Sequence, residues 1–170
     1  MFQELPNENS INTQILSLTQ QLCYVQSDWT MFWRYRQMVL NRMLEHALNG
    51  ITAQDETTES VIHETEFEKK LSDELYMTYQ ILIQSPKSYI AWSHRRYCLL
   101  ALQKYNPDIG EKYIQKDIKL TQTMLTAMTE AQVEDQGRNF HCWDHRRLLL
   151  KMGNVLFYYC RWSIEDGPKI

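Results

Sequence analysis

Helix breakers are scarce in this chain. With 5 glycines and 4 prolines among 170 residues, few points force a helix to stop, so long helices are expected. No stretch approaches the roughly 18 consecutive apolar residues that a membrane-spanning helix needs. Met1 to Asn9 carry neither the basic start nor the apolar run of a leader segment. Positive charge is not in excess either: 18 Lys and Arg against 21 Asp and Glu give a net charge of -3, which offers no basic field for nucleic acid. The four cysteines, Cys23, Cys98, Cys142 and Cys160, form no CxxC pair, a usage that suits reduced thiols and a cytoplasmic location better than a disulfide framework. What is present is a 44% hydrophobic, 12% aromatic composition, which points to one globular domain with a core.

The informative feature is a repeat. Pro86 to Leu100 carries Trp92-x-x-Arg95, Gly137 to Leu150 carries Trp143-x-x-Arg146, and Asp28 to Leu40 carries Trp33-x-x-Arg36. An apolar residue follows each Trp by seven places, at Leu40, Leu99 and Leu150. Residues that recur belong to packing, so the three Trp are expected as wedges between hairpins and the three Arg as paired groups within them.

Ile11, Ile15, Leu18, Leu22 and Val25 advance by four, three, four and three, which predicts a first helix with that stripe in the core and Ser10 as its cap. Ser27-Asp28 turns the chain into a second helix that Asn49-Gly50 should stop. A third helix runs from Phe67 to Ile83 and ends before Ser85-Pro86, and a fourth runs from there to about Lys104. Asn106 to Gly110 reads as a compact turn before a fifth helix through Ile114, Ile118, Leu125 and Met128. Asn139 can cap a sixth. Three hairpins, with Trp-x-x-Arg on the second helix of each, predict an all-α fold: a right-handed α-α superhelix of tetratricopeptide-like helical hairpins. The repeat domain is expected over 1–150, with second helices near 28–48, 87–104 and 139–152. An acidic insertion falls at 50–65 and a divergent tail at 151–170, where Val155 to Trp162 is too apolar for an exposed end cap and predicts either a missing partner or poor solubility.

Pro86-Lys87-Ser88-Tyr89-x-x-Trp92-x-His94-Arg95 and Arg138-Asn139-Phe140-His141-Cys142-Trp143-Asp144-x-Arg146-Arg147 resemble successive repeats of the protein prenyltransferase α subunits, and the likeness is to the Rab-type geranylgeranyltransferase. The resemblance covers about Ile11 to Leu150. It implies a subunit that wraps a β subunit as a heterodimer. The zinc, the peptide thiol and the lipid pocket would lie in that β subunit, and no cofactor in this chain. Geranylgeranyl diphosphate and a Rab GTPase would be the substrates. The surface for a Rab escort protein lies on later helices in that family. By the same resemblance Lys87, Tyr89 and His141 match residues that support catalysis at the active-site mouth, and Asn139 matches a substrate-binding position. Ile90 stands where farnesyltransferase has a glutamine that reads a substrate carboxylate; an aliphatic side chain cannot hydrogen-bond one, which favours the Rab type. A non-enzymatic helical-repeat adaptor is the alternative reading.

Other features have plainer readings beside their sharper ones. His141, Cys142 and His145 could be taken for metal ligands, but a closed zinc site wants four and no further ligand stands at suitable spacing, so no metal is assigned. Arg96 and Arg147 could attract a diphosphate or simply be solvated. The acidic run from Asp55 to Glu68 is read as a solvated face.

Overall fold

The computed structural model describes residues 8–52, 65–130 and 139–153. They form six helices: α1 (Glu8–Val25), α2 (Thr30–Thr52), α3 (Glu66–Gln84), α4 (Tyr89–Tyr105), α5 (Pro107–Glu130) and α6 (Phe140–Met152). No strand occurs among the described residues. The predicted insertion and tail fall largely outside them.

Capping residues set most of the starts. Thr65 accepts a hydrogen bond from the Glu68 amide, Ser88 from Ala91 and Asn139 from Cys142, each relieving a helix N-terminus of an orphan donor. The expected turn at Asn106 to Gly110 is instead the first turn of α5. The Asn106 side chain accepts from the Asp108 and Ile109 amides, and Pro107 takes the first helical position, where its missing N–H costs nothing. Gly110 is there for space, because a Cβ at that position would stand about 2.5 Å from the Gln103 Cα, so α4 and α5 cross with backbones nearly touching. Gly50 likewise does not stop α2, which continues to Thr52, and Ser10 lies inside α1 rather than capping it.

Consecutive helices pack as hairpins, α1 on α2, α3 on α4 and α5 on α6. The second helices also pack in sequence, α2 on α4 and α4 on α6, whereas α3 and α5 have no close approach. The layer of second helices is therefore the tighter one, and the array bends toward it. Between α3 and α5 the spreading leaves a hollow of about 270 Å³ walled by Tyr76, Tyr79 and Tyr113.

Two apolar clusters fill the interior. One, around Leu40, Leu71, Leu99, Leu102, Ile114 and Leu149, joins all three hairpins. The other, around Trp33, Met77, Ile81, Trp92, Leu125 and Cys142, lies beneath the corners where each first helix hands over to its second. The stripe predicted to bury α1 does the opposite. Ile11, Leu18, Leu22 and Val25 are exposed, and Asn12, Leu16, Thr19 and Cys23 face inward. The reason is chemical: the Arg36 guanidinium donates to the Leu16 carbonyl and the Thr19 hydroxyl, which turns that side of α1 into the hairpin.

Candidate functional site at the hairpin corners

The repeat residues build the junctions. Arg36 reaches back to Leu16 and Thr19 within its own hairpin and forward to both carboxylate oxygens of Glu74 on α3. Arg95 does the same, back to the Leu75 carbonyl and Thr78, forward to Asp117 on α5. Each acid also takes a histidine from the following second helix: His94 Nε2 lies 2.8 Å from Glu74, and His145 Nε2 lies 2.7 Å from Asp117. Each histidine then packs against the tryptophan of the preceding copy, His94 on Trp33 at 4.8 Å and His145 on Trp92 at 5.0 Å between ring centres.

These acids are ionised. Burial alone would raise the Glu74 carboxyl, but hydrogen bonds from His94 and Arg36 outweigh it and hold it below its ordinary value. Burial likewise opposes the charge on Asp117, and the Arg95 charge with hydrogen bonds from His145 and Arg95 overcomes it. Burial lowers His145, and its bond to Asp117 offsets that only in part. A neutral His145 donates through Nε2 and leaves Nδ1, which has no hydrogen-bond partner, as a lone pair rather than a buried N–H.

Trp33 and Trp92 are each 2% exposed, as expected of wedges, but Trp143 is 55% exposed. The first two are covered by the histidine of the next hairpin. Arg146 keeps the backward half of the pattern, donating to the Ile118 carbonyl and Thr121. Sequence reading missed the acid and threonine of each first helix, Glu74 with Thr78 and Asp117 with Thr121, although both pairs are four residues apart.

The expected site residues lie at the corners above this scaffold. Lys87 and Tyr89 are exposed. Tyr89 meets His141 edge-on at 5.7 Å between ring centres, so the second and third corners bring three expected residues to one surface. Asn139 sits beneath them, 1% exposed. Its oxygen caps α6, and its nitrogen donates to the Pro86 carbonyl at 2.6 Å. The same carbonyl accepts from the Trp92 indole at 2.8 Å, and Ser88 donates to Asp28 across the first and second corners at 3.2 Å. Beside them Tyr89 and Ile90 edge a hollow of about 140 Å³ with Trp33 and Arg34. Phe140 and Trp143, which the repeat had assigned no surface role, flank His141 in sequence and are also exposed.

Cys142 is buried, and burial pushes its thiol up to about 12, which removes it as a nucleophile. His145 is committed to Asp117, so His141, Cys142 and His145 do not converge. Among the described residues no group of three His, Cys, Asp or Glu is placed to hold a metal. Arg96 and Arg147 both hold Asp144, at 2.8 and 2.7 Å. The arrangement can present a cation, a phenol and an imidazole to a ligand on a neighbouring molecule, but it contains no nucleophile and base in contact.

Residues 71–102 match the protein prenyltransferase alpha subunit repeat. Over 151 residues the chain is 25% identical to a geranylgeranyl transferase type-2 subunit alpha of Candida albicans, covering 89% of this chain and 34% of the relative. The protein of the same name from Mus musculus is 27% identical over 85% of this chain and 20% of the relative. That from Dictyostelium discoideum is 26% identical over 82% and 35%. The chain thus spans about a third or less of the length of these relatives. No solved structure matches it significantly. No helix among the described residues is long and apolar enough to cross a membrane. A repeat of that kind in its second hairpin, and likeness along most of its length to proteins of one name, make this chain similar to the alpha subunits of the protein prenyltransferases.

Proposed function

We propose that the chain acts as an alpha subunit of a Rab-type protein geranylgeranyltransferase, pairing in the cytoplasm with a β subunit that carries the zinc. The observation that supports this reading is the surface at the second and third corners, where Tyr89 meets His141 edge-on and Lys87, two residues before Tyr89, is exposed. In the transfer, a cysteine thiolate near the Rab C-terminus forms a bond to the first carbon of the geranylgeranyl group, and the bond to the diphosphate breaks. The diphosphate leaves with the electron pair. Lys87 sits where an ammonium can stabilise that growing charge more than the ground state. Tyr89 and His141 shape the mouth, with Asn139 fixing their spacing from below. The aliphatic Ile90 supplies no donor for a substrate carboxylate, in keeping with the Rab type.

The test is co-expression with a Rab-type β subunit, followed by transfer from geranylgeranyl diphosphate to a Rab in the presence of escort protein. Lys87→Ala should lower turnover by about 100- to 1000-fold, the range for losing one charge-stabilising donor, and Lys87→Arg should restore part of it. Unchanged turnover in Lys87→Ala removes the role given to Lys87. A folded chain that does not bind the β subunit would instead be the helical-repeat adaptor.

A further inference from the structure

The two layers of the array carry opposite charge. Helices α1, α3 and α5 hold 9 acidic residues against 5 Lys and Arg, whereas α2, α4 and α6 hold 2 against 9. Arg36, Arg95 and Arg146 are spent inside the hairpins. Most of the others share one side of the tighter layer. On each second helix the positions one, four and eight places after the repeat tryptophan, with one more at twelve on α2 and α4, advance by helical steps of three and four and are exposed or half-buried. Arg34, Arg96, Lys104, Arg147 and Lys151 lie on that face. Its acids are Glu45 and Asp144, and Asp144 is already held by Arg96 and Arg147. A chain with a net charge of -3 therefore presents a basic inner face. Cross-ties hold that face in shape: Tyr97 of α4 donates to Asn41 of α2 at 2.8 Å, and the Arg96–Asp144 pair joins α4 to α6 at 2.8 Å.

We propose that this face binds an acidic protein surface, with one Asp or Glu carboxylate of the partner seated against Arg34. The seat is the hollow of about 140 Å³ between α2 and α4, whose walls include the side chains of Thr30, Arg34, Gln37, Tyr89 and Ser93. They supply five polar groups, one of them a cation, and no carboxylate. Among the described residues the Arg34 guanidinium has neither an ion pair nor a hydrogen bond. The hollow is smaller than the pockets that enclose a whole small ligand and suits a single side chain. The guanidinium fork and the two hydroxyls donate, which matches a carboxylate that can only accept. Composition selects protein over nucleic acid, because arginines beside the exposed Tyr89 and Leu100 are the mixture that protein interfaces favour. The partner's identity rests on the function proposed above: the β subunit would meet this face with acidic residues, and the opposed charges would steer the two together.

Binding of the full chain to an immobilised Rab-type β subunit tests the contact. The on-rate should fall at least about 10-fold between about 50 and about 500 mM salt, and Arg34→Glu should weaken binding about 30-fold or more. Lys116→Glu makes the same change of charge on α5 and should leave binding unchanged. Both side chains are exposed, so both variants should keep their helical circular dichroism. A β subunit that binds at one rate at both salt concentrations, or binds Arg34→Glu as well as the unaltered chain, overturns the acidic contact and leaves the proposed function standing. If no β subunit binds, the proposed function fails instead, and a polyglutamate peptide decides the contact. It should bind the unaltered chain and Lys116→Glu but not Arg34→Glu; no binding, or tighter binding of single-stranded oligouridylate, overturns the contact.

Discussion

The junction between the first and second hairpins and the one between the second and third use the same four groups with one exchange, glutamate at 74 and aspartate at 117. Arginine absorbs the difference. Arg36 Nε reaches one oxygen of Glu74 at 2.9 Å, whereas Arg95 Nε spans both oxygens of the shorter Asp117 at 2.9 and 3.1 Å. Histidine and tryptophan then assemble at nearly equal distances in both. What is repeated is a buried charge set, Arg–carboxylate–His under a Trp, and the side-chain length within it is free to vary. An arginine fork suits this task because it can answer two neighbouring hairpins at once.

Removing one partner from a buried pair strands the other, so Arg95→Ala is expected to cause the largest loss, about 3–5 kcal/mol in chemical denaturation. Arg36→Ala should cost a similar amount if the two junctions are equivalent, and a much smaller loss there would break the comparison. The tryptophans sharpen it. Trp92→Ala should cost about 3–5 kcal/mol, while Trp143→Ala, at a half-exposed site, should stay within about 0.5 kcal/mol. Equal losses would mean that Trp143 is covered.

The smallest effect belongs to the proton. His145 is depressed from its ordinary 6.5, so the unfolded chain binds the proton more readily, and this contribution is present above that pH and lost as the pH falls below it. Glu74 and Asp117 are also depressed, from 4.5 and 3.8, and their contributions are lost only as the pH falls through those values and below. The melting temperature should therefore sag first in mildly acid buffer and drop again near pH 4. Asp117→Asn should weaken the lower phase and deepen the upper one, because the carboxylate that offsets the burial of His145 is lost, whereas a melting temperature flat from neutrality to about pH 5 would refute the His145 part.

Much of the scaffold was legible because Trp-x-x-Arg repeats at a fixed internal spacing. Its counterpart on the first helices was not, although it is as regular. Asp117 lies twenty-six residues before Trp143 and Glu74 only eighteen before Trp92, so aligning on tryptophan hides it. The histidine that becomes tyrosine in the first copy made sense only once each histidine was seen to face the preceding hairpin. Periodicity gave α1 its helix but the wrong buried side, because it weighs apolar side chains and cannot see that a neighbouring arginine needs a threonine hydroxyl and a backbone carbonyl. At the corners, Asn139 was legible as a cap, since an amide before a helix has that use wherever it occurs. The approach of Tyr89 to His141 depends on how two hairpins stack, which no single segment encodes.

The Pro86 carbonyl, which receives both the Trp92 indole and the Asn139 amide, has a mechanical consequence. One peptide group serves as a pivot common to two hairpins, and the chain leaves it directly into Lys87. A tilt of the third hairpin pulls on this pivot and shifts Lys87 and His141 in concert. A molecule that seats on both corners meets a fixed gauge between two points, and strain applied at one of them is felt at the other.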